Sequence, residues 1–134
     1  MEVRAYLEQV ERLDLQIASA EQRVKRLKRK ATATTASMGG ERVSSSGNMS
    51  KVADAVVEYS DIERDEIKPL KRQREAILTN LKRVRGRSSY IVLYEHYFNR
   101  KSFKQIALER NYSYSHVKNE HLRGLAKLQK IIGK

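Results

Sequence analysis

The chain has 134 residues, 40% hydrophobic and 33% charged, with 28 Lys and Arg against 16 Asp and Glu and no cysteine. Its formal charge of +12 points to a polyanionic partner, because phosphate contacts release counterions. Without cysteine there is no disulfide framework or thiolate metal site, which fits a reducing cytosol. No apolar run approaches the ~18 residues of a spanning helix, so a cytoplasmic protein with no membrane partner is expected.

Val3, Tyr6, Val10, Leu13, Ile17, Ala20, Val24, Leu27 and Ala31 recur at alternating intervals of three and four, a heptad seam. So narrow a stripe cannot form a core alone. It must pack on another segment of the chain, as a coiled-coil-like helical hairpin, or on a second copy, as a homodimer. The seam ends in a basic run of Arg23, Lys25, Arg26, Lys28, Arg29 and Lys30. Cations suit a helix C-terminus, and they equally suit a DNA backbone.

Residues 31–50 read ATATTASMGGERVSSSGNMS, small and polar, with Gly39-Gly40 breaking any helix; a flexible linker is expected. The glycine pair lacks the following Lys-Ser/Thr of a phosphate-cradling loop. Ser50 is then placed to cap a second long helix reaching about Arg85. Pro69 should kink or divide it near Ile67. Its first half is acidic, favouring an antiparallel partner in the basic end of the first helix. Its second half, KRQREAILTNLKRVRGR, is strongly basic, and Gly86 ends it. Residues 1–87 thus form the expected first domain.

A third helix, SSYIVLYEHYFN, starts at Ser88 or Ser89. Its aromatic residues Tyr90, Tyr94, Tyr97 and Phe98 are most simply a core wall, and Asn99 ends it. Between Ser102 and Leu128 the periodicity predicts two helices and one tight turn. Ser102 caps the first, with Gln105 completing a capping box. Phe103, Ile106 and Ala107 form its inward face. Asn111 suits the left-handed end of that helix, and Ser113 caps the next. Val117, Gly124, Leu125 and Leu128 should face the first helix, with Gly124 permitting close approach. Helix, short turn, helix is the geometry that lays a second helix in a DNA major groove.

The first turns of that second helix carry Tyr114, Ser115, His116, Lys118 and Asn119, polar and unnecessary for packing. Tyr114, Ser115, Lys118 and Asn119 are therefore the candidate base-edge readers. His116, Arg100, Lys101, Lys104 and Arg123 are the candidate phosphate contacts. Residues 88–134, the expected DNA-binding domain, hold nine basic and three acidic side chains, half of the whole excess.

On these residues the segment from about Ser88 to Leu128 resembles the region 4 helix-turn-helix of sigma-70-type factors. The full chain resembles the RinA/ArpU-type phage regulators of Gram-positive bacteria. The matching pieces are YLEQVERLDLQI, ATATTASMGGERVSSSG, KVADAVVEYSDIERDEI, HYFNRKSFKQIA and NYSYSHV, with a loose fit around His121–Leu125. Glu120 departs from the pattern, standing where the family usually has an apolar residue. The resemblance implies a regulator of late phage genes, an activator acting with host RNA polymerase. The N-terminal helices would then supply dimerisation or a polymerase contact.

No catalytic constellation is visible. His96, His116 and His121 have no cysteine partner and form no HExxH pattern. His121 reads as a packing or phosphate-facing residue. The chain reads as an all-α binding protein without cofactor, not an enzyme. Two rivals share its features: a phage small terminase subunit, which would form a ring, and a coiled-coil adaptor whose basic faces meet an acidic protein.

Overall fold

A computed structural model describes the backbone of residues 2–38 and 45–133, and the side chains of residues 2–32 and 50–133. Apart from short connections the described residues are helical, with no strand among them. Six α-helices follow in chain order: α1 (Val3–Met38), α2 (Ser45–Ile62), α3 (Lys68–Lys82), α4 (Arg87–Leu93), α5 (Phe103–Arg110) and α6 (Tyr114–Ile132). Two π-helical turns, Glu63–Ile67 and Tyr94–Phe98, lead out of α2 and α4.

Where a linker was expected over residues 31–50, α1 continues to Met38 and α2 already begins at Ser45. Alanine recurs at positions 31, 33 and 36, and no Gly or Pro intervenes before Gly39. A helix already nucleated propagates through such residues at little cost. Thr32 returns its hydroxyl to the Lys28 carbonyl at 2.9 Å, so its side chain does not oppose the helix. Ser50 lies inside α2 and not at its start. The remaining linker positions, 39–44, lie outside the described residues.

The chain forms two compact units, Leu15–Arg72 and the combination of Met1–Asp14 with Gln73–Lys134. This division differs from a boundary at residue 87, and α1 and α3 each supply residues to both units.

In the unit of residues 15–72, Ala20 and Val24 pack with Ile62 and Ile67, and Leu27 and Tyr59 cover that cluster. Ion pairs join Glu21 to Lys71, Arg23 to Glu66 and Lys28 to Glu63. Rising numbers on one side meet falling numbers on the other, so α1 runs antiparallel to the chain from α2 into α3. The basic end of the seam thus meets acidic residues near the start of α3. These pairs are exposed and add little stability; they record register more than strength. Pro69 explains the π turn before it. It has no N–H, and its ring would crowd the carbonyl of Asp65 in a regular helix. The chain widens instead, and Lys68 N–H donates to the Glu63 carbonyl five residues back.

In the other unit, Val3, Leu7, Val10 and Leu13 of α1 are buried, as are Ile77 and Leu81 of α3 and Val84 just beyond it. Of the seam, Val3, Val10, Leu13, Ile17, Ala20 and Val24 are buried in this chain, while Tyr6, Leu27 and Ala31 are half-buried. Asn80 donates to the Tyr6 hydroxyl at 2.7 Å. Asp14 accepts from Arg74 at 2.6 Å and from Arg100 at 2.9 Å. A second cluster joins Val92, Ile106, Ala107 and Val117, with Phe103 and Tyr112 against it. The expected aromatic wall is present: Tyr97 and Phe98 are buried, and Tyr90, Tyr94 and Phe98 stack in sequence at 5.9 and 5.3 Å.

α6 packs on both α4 and α5. Gly124 meets α4, not α5 as its spacing suggested: a Cβ there would lie 2.8 Å from Leu93 Cδ1 and 3.3 Å from the Ser89 carbonyl. Ser89 explains Glu120 as well. The carboxylate is buried, accepts from Ser89 Oγ at 2.7 Å and pairs with Arg123 at 3.0 Å. Ser89 and then Arg123 outweigh the burial and hold it below the usual carboxylate range. A polar residue thus occupies a core position because α4 offers it a hydroxyl.

Candidate nucleic-acid interface

Local sequence fixes the geometry from α5 to α6. Ser102 accepts from Gln105 N–H at 3.1 Å and caps α5. The capping box is only half made, because the Gln105 side chain turns to Glu109. Asn111 ends α5 in the left-handed conformation, φ 59° and ψ 40°, where a short polar side chain is tolerated. Tyr112 N–H returns to the Ala107 carbonyl at 2.9 Å. Ser113 is extended and accepts from His116 N–H at 3.0 Å, starting α6. Ile106, Ala107 and Val117 close the angle between the two helices.

Residues advance about 100° around a helix, so Tyr114 and Lys118 form one row of α6 and Ser115 and Asn119 the next. All four are exposed. The Lys118 ammonium lies 5.5 Å from the Tyr114 ring centre, close enough for the two to support each other. Leu122 extends the Lys118 row and is 56% exposed. Its place one turn beyond Lys118 could have marked it from sequence, but a leucine reads as core until the packing is known.

The candidate phosphate contacts are in different circumstances. Lys104 is exposed and borders a shallow hollow shared with Tyr114 and Phe103. Arg123 is exposed at its tip although it pairs with Glu120. His116 is half-buried, its ring edge-on to Tyr112 at 4.8 Å. Arg100 takes a left-handed φ of 55° and is held by Asp14. Lys101 is occupied: its ammonium contacts Glu95 at 2.7 Å and Glu109 at 2.6 Å, and both carboxylates raise its pKa. Glu95 is itself buried. Burial pushes its pKa up, but Lys101 and Asn99 outweigh that and hold it below the ordinary range. The Lys101–Glu95 pair pins the approach to α5, which is an internal task.

Between the start of α1 and α6 lies a groove of about 840 Å³ lined by Arg4, Glu8, Tyr97, Arg100, Lys118 and His121, among others. His121 is buried at its floor, with Nε2 2.8 Å from the Tyr97 hydroxyl. Burial raises the Tyr97 pKa to about 12, so the phenol keeps its proton and shares a hydrogen bond with Nε2. Burial likewise lowers His121 to about 4, so the ring is neutral at pH 7. His121 is thus a packing residue. Among the described residues no cluster of His, Asp and Glu could hold a metal ion, and no helix is long and apolar enough to cross a membrane.

Comparison with protein-family models, with curated proteins and with solved structures finds no match.

Proposed function

We propose that α5, the Asn111 turn and α6 form a helix-turn-helix that reads duplex DNA, α6 being the recognition helix, and that the protein is a sequence-specific transcriptional regulator. One observation carries this reading. The capped N-terminal half of α6 presents Tyr114, Ser115, Lys118 and Asn119 to solvent, polar groups that neither the core nor the caps require. A face kept only for solubility is more often filled with Glu and Lys pairs. The chain's charge of +12 supplies attraction to phosphate independently of sequence. The resemblance to sigma-70 region 4 and to RinA/ArpU-type phage regulators agrees with this reading. It sharpens the reading to activation of late phage genes alongside RNA polymerase. A coiled-coil adaptor would owe nothing to the side chains on this face.

The test divides the labour of α6 from that of its surroundings. Base contacts specify sequence, whereas phosphate contacts position the protein. Asn119→Ala and Lys118→Ala should each weaken a selected site by roughly 1–3 kcal/mol and relax its preference. Lys104→Ala should weaken all duplexes alike and lower the salt slope by about one. Each variant is titrated on selected and scrambled duplexes at two salt concentrations. An unchanged ratio of specific to scrambled binding in both α6 variants means that this helix is not the reader.

A further inference from the structure

The basic run that joins α3 to α4 is used by neither the core nor the proposed readers. Lys82, Arg83, Arg85 and Arg87 are all exposed. Among the described residues none of them has a carboxylate within ion-pair distance. Other cations of the same unit do have such partners: Arg74 and Arg100 meet Asp14, Lys101 meets Glu95 and Arg123 meets Glu120. The sequence offers no acid nearby, since none lies between Glu75 and Glu95. A surface kept only for solubility intersperses both signs.

The backbone that carries these cations is held in place. Val84 is buried between Arg83 and Arg85. Gly86 turns the chain at φ 101°. Lys127 of α6 donates to the Arg85 carbonyl at 2.8 Å, and a Cβ at position 86 would lie 2.9 Å from that ammonium. The turn is therefore fastened to α6. Arg123 and Lys127 follow Asn119 at successive intervals of four, so a basic edge runs from the proposed reading face to this turn. Eight residues separate Asn119 from Lys127, about 12 Å along the axis, comparable to the width of a major groove.

We propose that Arg83, Arg85 and Arg87, fastened to α6 through Lys127, form a second duplex-DNA contact, a phosphate clamp flanking the groove that α6 reads. This rests on the DNA-binding reading above. Guanidinium groups on a fixed turn suit phosphate oxygens, and they add affinity without adding sequence preference.

The experiment compares the full chain with two triple variants, Arg83→Gln/Arg85→Gln/Arg87→Gln and Arg83→Lys/Arg85→Lys/Arg87→Lys. Binding is titrated on a duplex selected from a random pool and on its scrambled counterpart, between 50 and 200 mM salt, with helicity checked by circular dichroism. Three lost phosphate contacts lower the salt slope by about 2.7, so the unaltered chain's advantage over the glutamine variant should be about 40-fold greater at 50 mM than at 200 mM. The loss should be equal on both duplexes, and the lysine variant should keep most of the slope. If the glutamine variant matches the unaltered chain, or loses affinity only for the selected duplex, the clamp is overturned while DNA binding stands. The clamp also falls if the lysine variant loses as much as the glutamine one. If the unaltered chain binds neither duplex, the DNA reading falls and takes the clamp with it.

Discussion

Ser89 and Glu120 face each other across α4 and α6, and their 2.7 Å hydrogen bond stands where apolar contact would be expected. Removing one partner of a buried bond costs the desolvation of the group left behind. Ser89→Ala should therefore lower stability by about 1–3 kcal/mol in urea unfolding; a loss below the error of the measurement would mean that Arg123 alone satisfies Glu120. His121 gives a pH prediction of a different kind, a buried base whose charged form is opposed by burial and by His96 and Arg4. Its folded pKa of about 4 lies below the ordinary value, so the unfolded chain takes up the proton first. Stability is then full above about pH 6.5 and falls as pH drops towards 4, by roughly 3 kcal/mol over that window. His121→Phe should flatten this part of the profile while glutamates such as Glu120 continue to titrate lower down. An unchanged profile would place the acid sensitivity elsewhere.

At the scale of elements, two junctions depend on single residues. Asn111 holds a left-handed conformation between α5 and α6, which a β-branched side chain resists. Asn111→Val should destabilise the protein by roughly 1–2 kcal/mol, while Asn111→Gly should be nearly neutral. Equal losses in melting experiments would show that the Asn111 side chain, and not its backbone, matters. The approach to α5 depends on Lys101, whose ammonium compensates buried Glu95. Lys101→Ala should lower the melting temperature and weaken every duplex through the fold, whereas Lys104→Ala should leave the melting temperature alone. A Lys101→Ala protein that melts normally but has a shallower salt slope would return Lys101 to the phosphate contacts.

For the whole molecule, the decisive fact is that Val3, Leu7, Val10 and Leu13 are buried in the same compact unit as α4, α5 and α6. A fragment of residues 87–134 would lose these side chains together with Ile77 and Leu81. It should be largely unfolded by circular dichroism, because losing even one large core side chain costs about 2–5 kcal/mol. A fragment that melts cooperatively would show that the C-terminal helices suffice. Val10→Asp in the full chain should likewise abolish cooperative unfolding, since it buries a charge with no partner.

Much of this architecture is written locally. The 3.6-residue spacing from Ser102 to Leu128, the capping serines 102 and 113 and the left-handed Asn111 all follow from short-range chemistry, and each appears in the structure as its sequence suggests. The interruption before Pro69 is local as well, because it follows from a missing N–H and a crowded ring. What only the tertiary structure decided are matters of partnership between distant residues. The heptad of α1 has the same spacing whether it faces a second copy or its own chain, and only the fold shows that Val3, Val10, Leu13, Ile17, Ala20 and Val24 are buried by other parts of this chain. Residues 31–38 read as small and polar linker, yet their backbone continues a helix that α1 has already nucleated. Glu120 breaks the apolar pattern until Ser89 is seen beside it, and Lys101 looks like a free cation until Glu95 and Glu109 close on it. Spacing along a helix determines which side chains share a face, but what that face meets is set by residues dozens of positions away.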